Sequence, residues 1–168
     1  MRQRILASAL TLTLVLAAPQ GIASAQTKET LIGTWRLLKI SLLNDKGVAK
    51  DETDLTGFLT YTRDGRMSSI ITEGVRKPLT GSRYTAPANE RAEAFASSLA
   101  YAGTFDLKGD KVIHHVEAST YPNFVNTDLV RTITKFDGNR ITLRVTNPLI
   151  ARDGMQYAYE DLLWERVK

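Results

Sequence analysis

What most limits the folds open to this chain is a succession of short β-type runs, each closed by a tight-turn signal. Thr34–Leu43 ends at Asn44-Asp45-Lys46-Gly47. Leu55–Thr62 and Met67–Thr72 flank Arg63-Asp64-Gly65-Arg66, and Tyr101–Leu107 and Val112–Ser119 flank Lys108-Gly109-Asp110. Asp128–Phe136 and Arg140–Asn147 flank Asp137-Gly138-Asn139, and Met155–Val167 closes the series. Such turns between extended runs predict hairpins. Eight strands joined in this way predict an antiparallel meander, which must hide its two edges. Closure into an up-and-down barrel removes both, and at eight strands the interior can hold one small ligand. A two-sheet sandwich is the competing arrangement.

One helix is expected, between the third and fourth strands. Pro87 stands where a helix begins, and Ala88, Ala92, Phe95, Leu99 and Ala102 recur at helical spacing until Gly103. The spacing predicts a helix over Pro87–Ala102. Arg76–Ala86 holds Pro78 and Gly81 without periodicity and is expected to be a loop.

Ahead of the strands, residues 1–25 have the pattern of a secretory signal peptide. Arg2 and Arg4 start it, Ile5–Ala18 is apolar apart from Ser and Thr, and Ala23-Ser24-Ala25 forms a small-x-small cleavage site. The expected mature chain is one domain over residues 26–168, exported to the periplasm or medium, with no transmembrane segment once the signal is removed. Fourteen apolar residues are short for a bilayer span, which needs about 20.

Composition excludes whole classes of function. The 168 residues hold no cysteine, which removes thiol nucleophiles, iron–sulfur clusters, Cys-based zinc sites and disulfides. Two histidines cannot build a three-His metal site from one chain. Without Arg2 and Arg4 the formal charge falls from +4 to +2, and no long run of like charge occurs, so no nucleic-acid partner is expected. Nucleophile-elbow, P-loop, dinucleotide-binding and His-Glu-x-x-His motifs are missing. No cofactor and no metal are expected.

Gly33-Thr34-Trp35, opening the first strand, resembles the Gly-x-Trp start of lipocalins and the Gly-Thr-Trp start of fatty-acid-binding proteins. In those families the Trp closes the barrel floor near a basic residue of the last strand. The resemblance implies that role for Arg166, with Arg131 as the other candidate. Three further blocks resemble the bacterial and fungal lipocalin-like domain family. They are Gly57-Phe58-Leu59-Thr60-Tyr61-Thr62-Arg63-Asp64-Gly65-Arg66-Met67-Ser68, then His114-His115-Val116-Glu117-Ala118-Ser119-Thr120-Tyr121-Pro122-Asn123, and the ending Leu163-Trp164-Glu165-Arg166. The resemblance spans residues 31–167 in order. It implies an eight-stranded calycin barrel and no single function.

The candidate site centres on Val112–Ser119. Strand alternation puts Ile113, His115, Glu117 and Ser119 on one face, and Val112, His114, Val116 and Ala118 on the other. If the first face is inward, His115 and Glu117 form a His–carboxylate pair fit to bind a ligand or move a proton. If the second is inward, both lie outside or in cross-strand ion pairs with Arg131 or Lys135. A metal site from His114, His115 and Glu117 is geometrically poor, because adjacent strand residues diverge. Arg131, sharing a face with Leu129 and Ile133, is either an inward partner for a carboxylate or a surface charge. Tyr121 and Asn123 are candidate contacts at the barrel mouth or parts of a rigid turn, and Tyr61 is a candidate cavity-lining aromatic. Trp35 and Trp164 are expected as structural plugs. The expected function is binding of a small hydrophobic or amphipathic molecule, with a cofactor-free isomerase, cyclase or hydratase using His115 and Glu117 as the alternative.

Overall fold

In a computed structural model of the chain, residues 26–44, 47–146, 149–150 and 154–168 are described, and the expected signal peptide lies outside them. Strand β1 (Gly33–Asn44) is followed by β2 (Gly47–Glu52), β3 (Leu55–Tyr61), β4 (Arg66–Glu73), β5 (Ser98–Lys108), β6 (Lys111–Ser119), β7 (Asp128–Phe136) and β8 (Arg140–Val145). A two-residue ribbon, β9 (Leu149–Ile150) with β10 (Gln156–Tyr157), precedes β11 (Tyr159–Arg166). Neighbours pair antiparallel in the order β1-β3-β4-β5-β6-β7-β8-β11, and β11 returns to β1. The barrel is therefore closed with eight strands.

The strand β2 had no counterpart among the expected strands. The far half of β1 pairs with β2, whereas its near half pairs with β3. Asp51 holds this flap in register, accepting from Lys39 Nζ at 2.7 Å and Ser41 Oγ at 2.6 Å. The expected final strand, Met155–Val167, is divided at Ala158 into β10 and β11.

Alternation along each strand builds the core. Leu129, Arg131 and Ile133 of β7 point inward, while Asp128, Val130 and Lys135 are exposed. A helix of one turn, α1 (Lys28–Leu31), lies at one end of the barrel, where Leu31 is buried and accepts a hydrogen bond from Trp35 Nε1 at 2.9 Å.

The inserted helix α2 (Ala88–Ala96) lies between the third and fourth barrel strands as expected, but it is shorter than Pro87–Ala102. Serine hydroxyls end it: Ser97 Oγ donates to Glu93 O at 2.8 Å and Ser98 Oγ to Ala94 O at 2.9 Å. Arg76 Nη1 donates to the carbonyls of Ala94 and Ser97. With the terminal carbonyls occupied in this way, Leu99 and Ala102 enter β5 rather than continue the helix. None of the α2 side chains is buried, and Phe95 is exposed.

Candidate functional site

The two ends of the barrel differ. At the closed end Trp35 is fully buried, and Arg166 lies against its ring while bonding to Gly138 O, Ile32 O and Thr30 O. Of the two basic residues expected at this floor, Arg166 takes the position. The opposite end holds the cavity, about 410 Å³ in volume, within the roughly 300–1,000 Å³ usual for small-molecule sites. Ile40, Leu42, Leu59, Ile71, Leu99, Leu143, Val145 and Leu162 supply its apolar wall, and Ala96 of α2 also lines it. Its polar lining is Ser69, Tyr101, His114, Arg131, Glu52, Glu73, Glu160 and Trp164.

Strand β6 turns Val112, His114 and Val116 inward, and His115 and Glu117 outward. The expected acid–base pair is thus not in the cavity. Glu117 accepts two bonds from Arg66, at 2.9 and 2.8 Å, with both side chains about half exposed. His115 Nδ1 bonds Asp128 Oδ1 at 2.6 Å and its Nε2 bonds Asp106 Oδ2 at 3.2 Å. The hydrogen bond to Asp128, then that to Asp106, raises the His115 pKa. Neither Arg131 nor Lys135 is its partner. The apolar neighbours Val112 and Val116 decide the face, because turning the strand over would expose both to water.

The inward histidine is His114, 1% exposed, held between two tyrosines. Its Nε2 is 2.7 Å from Tyr61 Oη and its Nδ1 is 3.1 Å from Tyr101 Oη. Burial, aided by the Arg131 charge, drives the His114 pKa well below its ordinary value, so the ring is neutral. One tyrosine then accepts from the ring N–H and the other donates to the bare nitrogen. Burial likewise pushes the Tyr61 hydroxyl well above its usual range. Tyr61 is a buried support behind His114 rather than part of the cavity lining.

Arg131 does point inward. It is 9% exposed and lines the cavity, and its one hydrogen bond runs from Nη1 to Val130 O at 3.2 Å. Among the described residues no salt bridge reaches it. Tyr121 and Asn123 sit at the mouth end, on the β6–β7 connection, and line no part of the cavity. Asn123 Nδ2 donates to Tyr121 Oη at 3.0 Å, and Phe124 packs edge-on against both Tyr121 and Tyr101. They shape the rim through Phe124.

Sequence reasoning missed Glu160, Glu52 and Glu73. Glu160 is half-buried, and burial, opposed by Arg131 and reinforced by Glu52 and Glu73, pushes its carboxyl up to about 7. A signal for it was present. Counting back by twos from Trp164 through Leu162 places Glu160 on the inward face, while Asp161 and Glu165 face out toward Arg144 and toward Arg36 and Arg140.

A closed eight-stranded antiparallel barrel, floored by a tryptophan–arginine pair and hollow at the other end, defines a calycin-type architecture. The chain belongs to the lipocalin-like domain family, whose sequence pattern matches residues 32–167. No curated protein matches it. Among solved structures it is similar to an uncharacterized protein from Bacteroides eggerthii DSM 20697, at 11% identity and a TM-score of 0.42, covering 82% of this chain and 99% of that one. Among the described residues no helix is long and apolar enough to cross a membrane.

Proposed function

We propose that this chain is exported and binds in its barrel cavity a small, mainly apolar molecule bearing one carboxylate or carbonyl oxygen, which Arg131 receives. The observation that carries this reading is Arg131 itself. An arginine has five N–H donors, and this one sits in a largely apolar cavity with a single long bond to a backbone carbonyl. Leaving a buried cation so poorly partnered costs stability, and a ligand oxygen removes that cost. The wall of leucine, isoleucine and valine supplies the apolar contact.

The enzymatic alternative loses the residues assigned to it. His115 and Glu117 both face away from the cavity, each engaged by other charged side chains.

The test is displacement of a hydrophobic fluorescent probe by decanoate, in the parent and in Arg131→Met. The expected result is uptake by the parent and a loss of about tenfold or more in decanoate affinity in the variant. Equal decanoate affinity in both proteins would end the reading. Export is tested separately by N-terminal sequencing of secreted material, expected to start at Gln26, with a start at Met1 overturning it.

A further inference from the structure

The polar groups lining the cavity differ in how they are partnered: Glu52 pairs with Lys50 at 3.1 Å, and Glu73 is also engaged. His114 and Tyr101 bond each other, and Tyr61 takes the second ring nitrogen. Three others are poorly partnered: among the described residues Arg131 has one bond to its own neighbour's carbonyl, Glu160 has no side-chain hydrogen bond or salt bridge, and Trp164 Nε1 is buried without a partner. Trp164 Nε1 is the one fully buried side-chain polar atom so left among the described residues. A buried polar atom without a partner is uncommon, and Trp164 Nε1 on the same cavity wall as the sparsely partnered Arg131 and Glu160 points to a molecule that belongs there.

Arg131 and Glu160 are also related by register. Thr132 pairs with Arg144, and Val145 pairs with Glu160, so Arg131, Val145 and Glu160 fall in one layer across β7, β8 and β11. Opposite charges in the same layer of the same cavity normally close into a salt bridge. Here they do not, because a strand's width separates them and neither side chain bridges the gap. A bound group that partners both can accept from the guanidinium on one side and donate to a carboxyl oxygen on the other. Glu52 from β2 and Glu73 from β4 face the same cavity, with His114 from β6 and Tyr101 from β5 completing the titratable groups around Glu160. Lys50 offsets Glu52 at 3.1 Å, so Glu160 is the carboxyl that a head group on Arg131 must face; its negative form makes a purely anionic head group a poor fit and favours an N–H donor near it.

We propose that the ligand's polar end is bifunctional, an oxygen acceptor for Arg131 adjacent to an N–H donor for Glu160, and that Glu160 is the residue selecting for that donor. The deduction rests on the cavity reading given above and goes further by naming the head-group chemistry. A carboxamide and an amino-carboxylate zwitterion share it. The two differ in their dependence on Glu160, since the ammonium of a zwitterion needs an ionised carboxylate whereas an amide donates to either form.

The experiment is displacement of a hydrophobic fluorescent probe by decanamide, decanoate, decylamine and 2-aminodecanoate, in the parent, in Glu160→Gln and in Arg131→Met. In the parent, decanamide or the amino acid is expected to bind about tenfold or more tightly than decanoate and decylamine. In Glu160→Gln that preference over decanoate should shrink to within a few-fold, because loss of the charge helps an anion, and replacing one of the two carboxyl oxygens by an N–H donor removes an ammonium's counter-charge and gives an anion a new partner. A preference that strengthens as pH rises through neutrality assigns the zwitterion, and one flat in pH assigns the amide. Decanoate binding as tightly as the bifunctional ligands, with Glu160→Gln changing nothing, overturns the role of Glu160 while leaving Arg131 as the oxygen site. If Arg131→Met also changes nothing, the cavity reading falls with it. Circular dichroism and probe uptake in each variant establish folding, and if Glu160→Gln does not fold, Glu160→Asp, which withdraws the carboxylate, must show the same reduced preference.

Discussion

The guanidinium of Arg166 lies 4.0 Å from the centre of the Trp35 ring, joining the last strand to the first at the barrel floor. It also donates to Gly138 O, Ile32 O and Thr30 O, at 3.0, 2.7 and 2.6 Å, so one side chain ties α1, the β7–β8 turn and β11 together. Gly33 makes the approach possible: its φ is +131°, and a Cβ there would come within 2.8 Å of Arg166 Nη1. A lysine has no planar fork with which to stack and serve three carbonyls at once. Arg166→Lys should therefore lower unfolding free energy by roughly 2 to 4 kcal/mol in urea titration. Uptake of a hydrophobic probe at the opposite end should be unchanged under native conditions.

A second close approach fixes the bulge in β6. Ala102 pairs with Ala118 and Gly103 with Val116, so Glu117 is the extra residue. A Cβ on Gly103 would lie 1.9 Å from His115 O, well inside any tolerable contact. Gly103→Ala must move backbone in two strands and should cost about 3 kcal/mol or more. The neighbouring change Ala102→Gly, which meets no such wall, should cost about 1 kcal/mol or less. Thermal melts of the two variants give the comparison.

Why the barrel was legible while its site was only half so follows from the range of the interactions. Turn chemistry and alternation are local, and Asp64-Gly65, Gly109 and Asp137-Gly138 sit in turns of the structure where their sequence placed them. The floor was readable too, since Gly33-Thr34-Trp35 and Arg166 are motif residues. Val112 and Val116 argue locally for an inward His114, but Ile113 argues for the other face, and the tyrosines that satisfy the buried ring, Tyr61 and Tyr101, lie 53 and 13 residues away. The helix α2 ends earlier than its spacing predicts because Leu99 also opens the two-residue alternation Leu99, Tyr101, Gly103 of β5, to whose other face Ala102 belongs. Side-chain bonds from Ser97 and Ser98 break that tie. Glu160 carries no motif of its own, and only the alternation running back from Trp164 through Leu162 marks it as inward.

On the outer face, His115 makes the protein sensitive to pH. Its hydrogen bonds to Asp128 and Asp106 raise its folded-state pKa above the ordinary histidine value. A raised histidine pKa means the folded state holds the proton more tightly. Its stabilisation is thus complete below the unfolded-state pKa of about 6.5 and is lost as pH rises through the higher folded value. With the side chain 35% exposed, solvent screening limits the effect to about 1 kcal/mol. His115→Ala should lower the melting temperature at about pH 5.5 and make much less difference at about pH 9. Because Asp106 also binds Lys28 of α1 at 2.8 Å, amide exchange in residues 28–31 should quicken in the same variant.

Glu160 should act on stability with the opposite dependence from an ordinary paired carboxylate. Its folded pKa is raised from 4.5 to about 7, chiefly by burial, so between those values the folded protein binds the proton that the unfolded chain has released. Stability therefore falls as pH rises across that interval, and the full penalty is present above about pH 7. The shift corresponds to about 3 kcal/mol, which solvent entering the cavity reduces. Glu160→Gln keeps the shape and removes the charge. The variant should melt well above the parent at about pH 8 and match it at about pH 4, where the parent carboxyl is neutral in both states. A saturating zwitterionic ligand should narrow the gap at high pH, because its ammonium favours the ionised carboxylate that the variant lacks. Melting temperatures of both proteins across this range, with carbon NMR titration of the Glu160 carboxyl, check the argument; a difference between the two that is constant from low to high pH would show that Glu160 titrates as a free carboxylate.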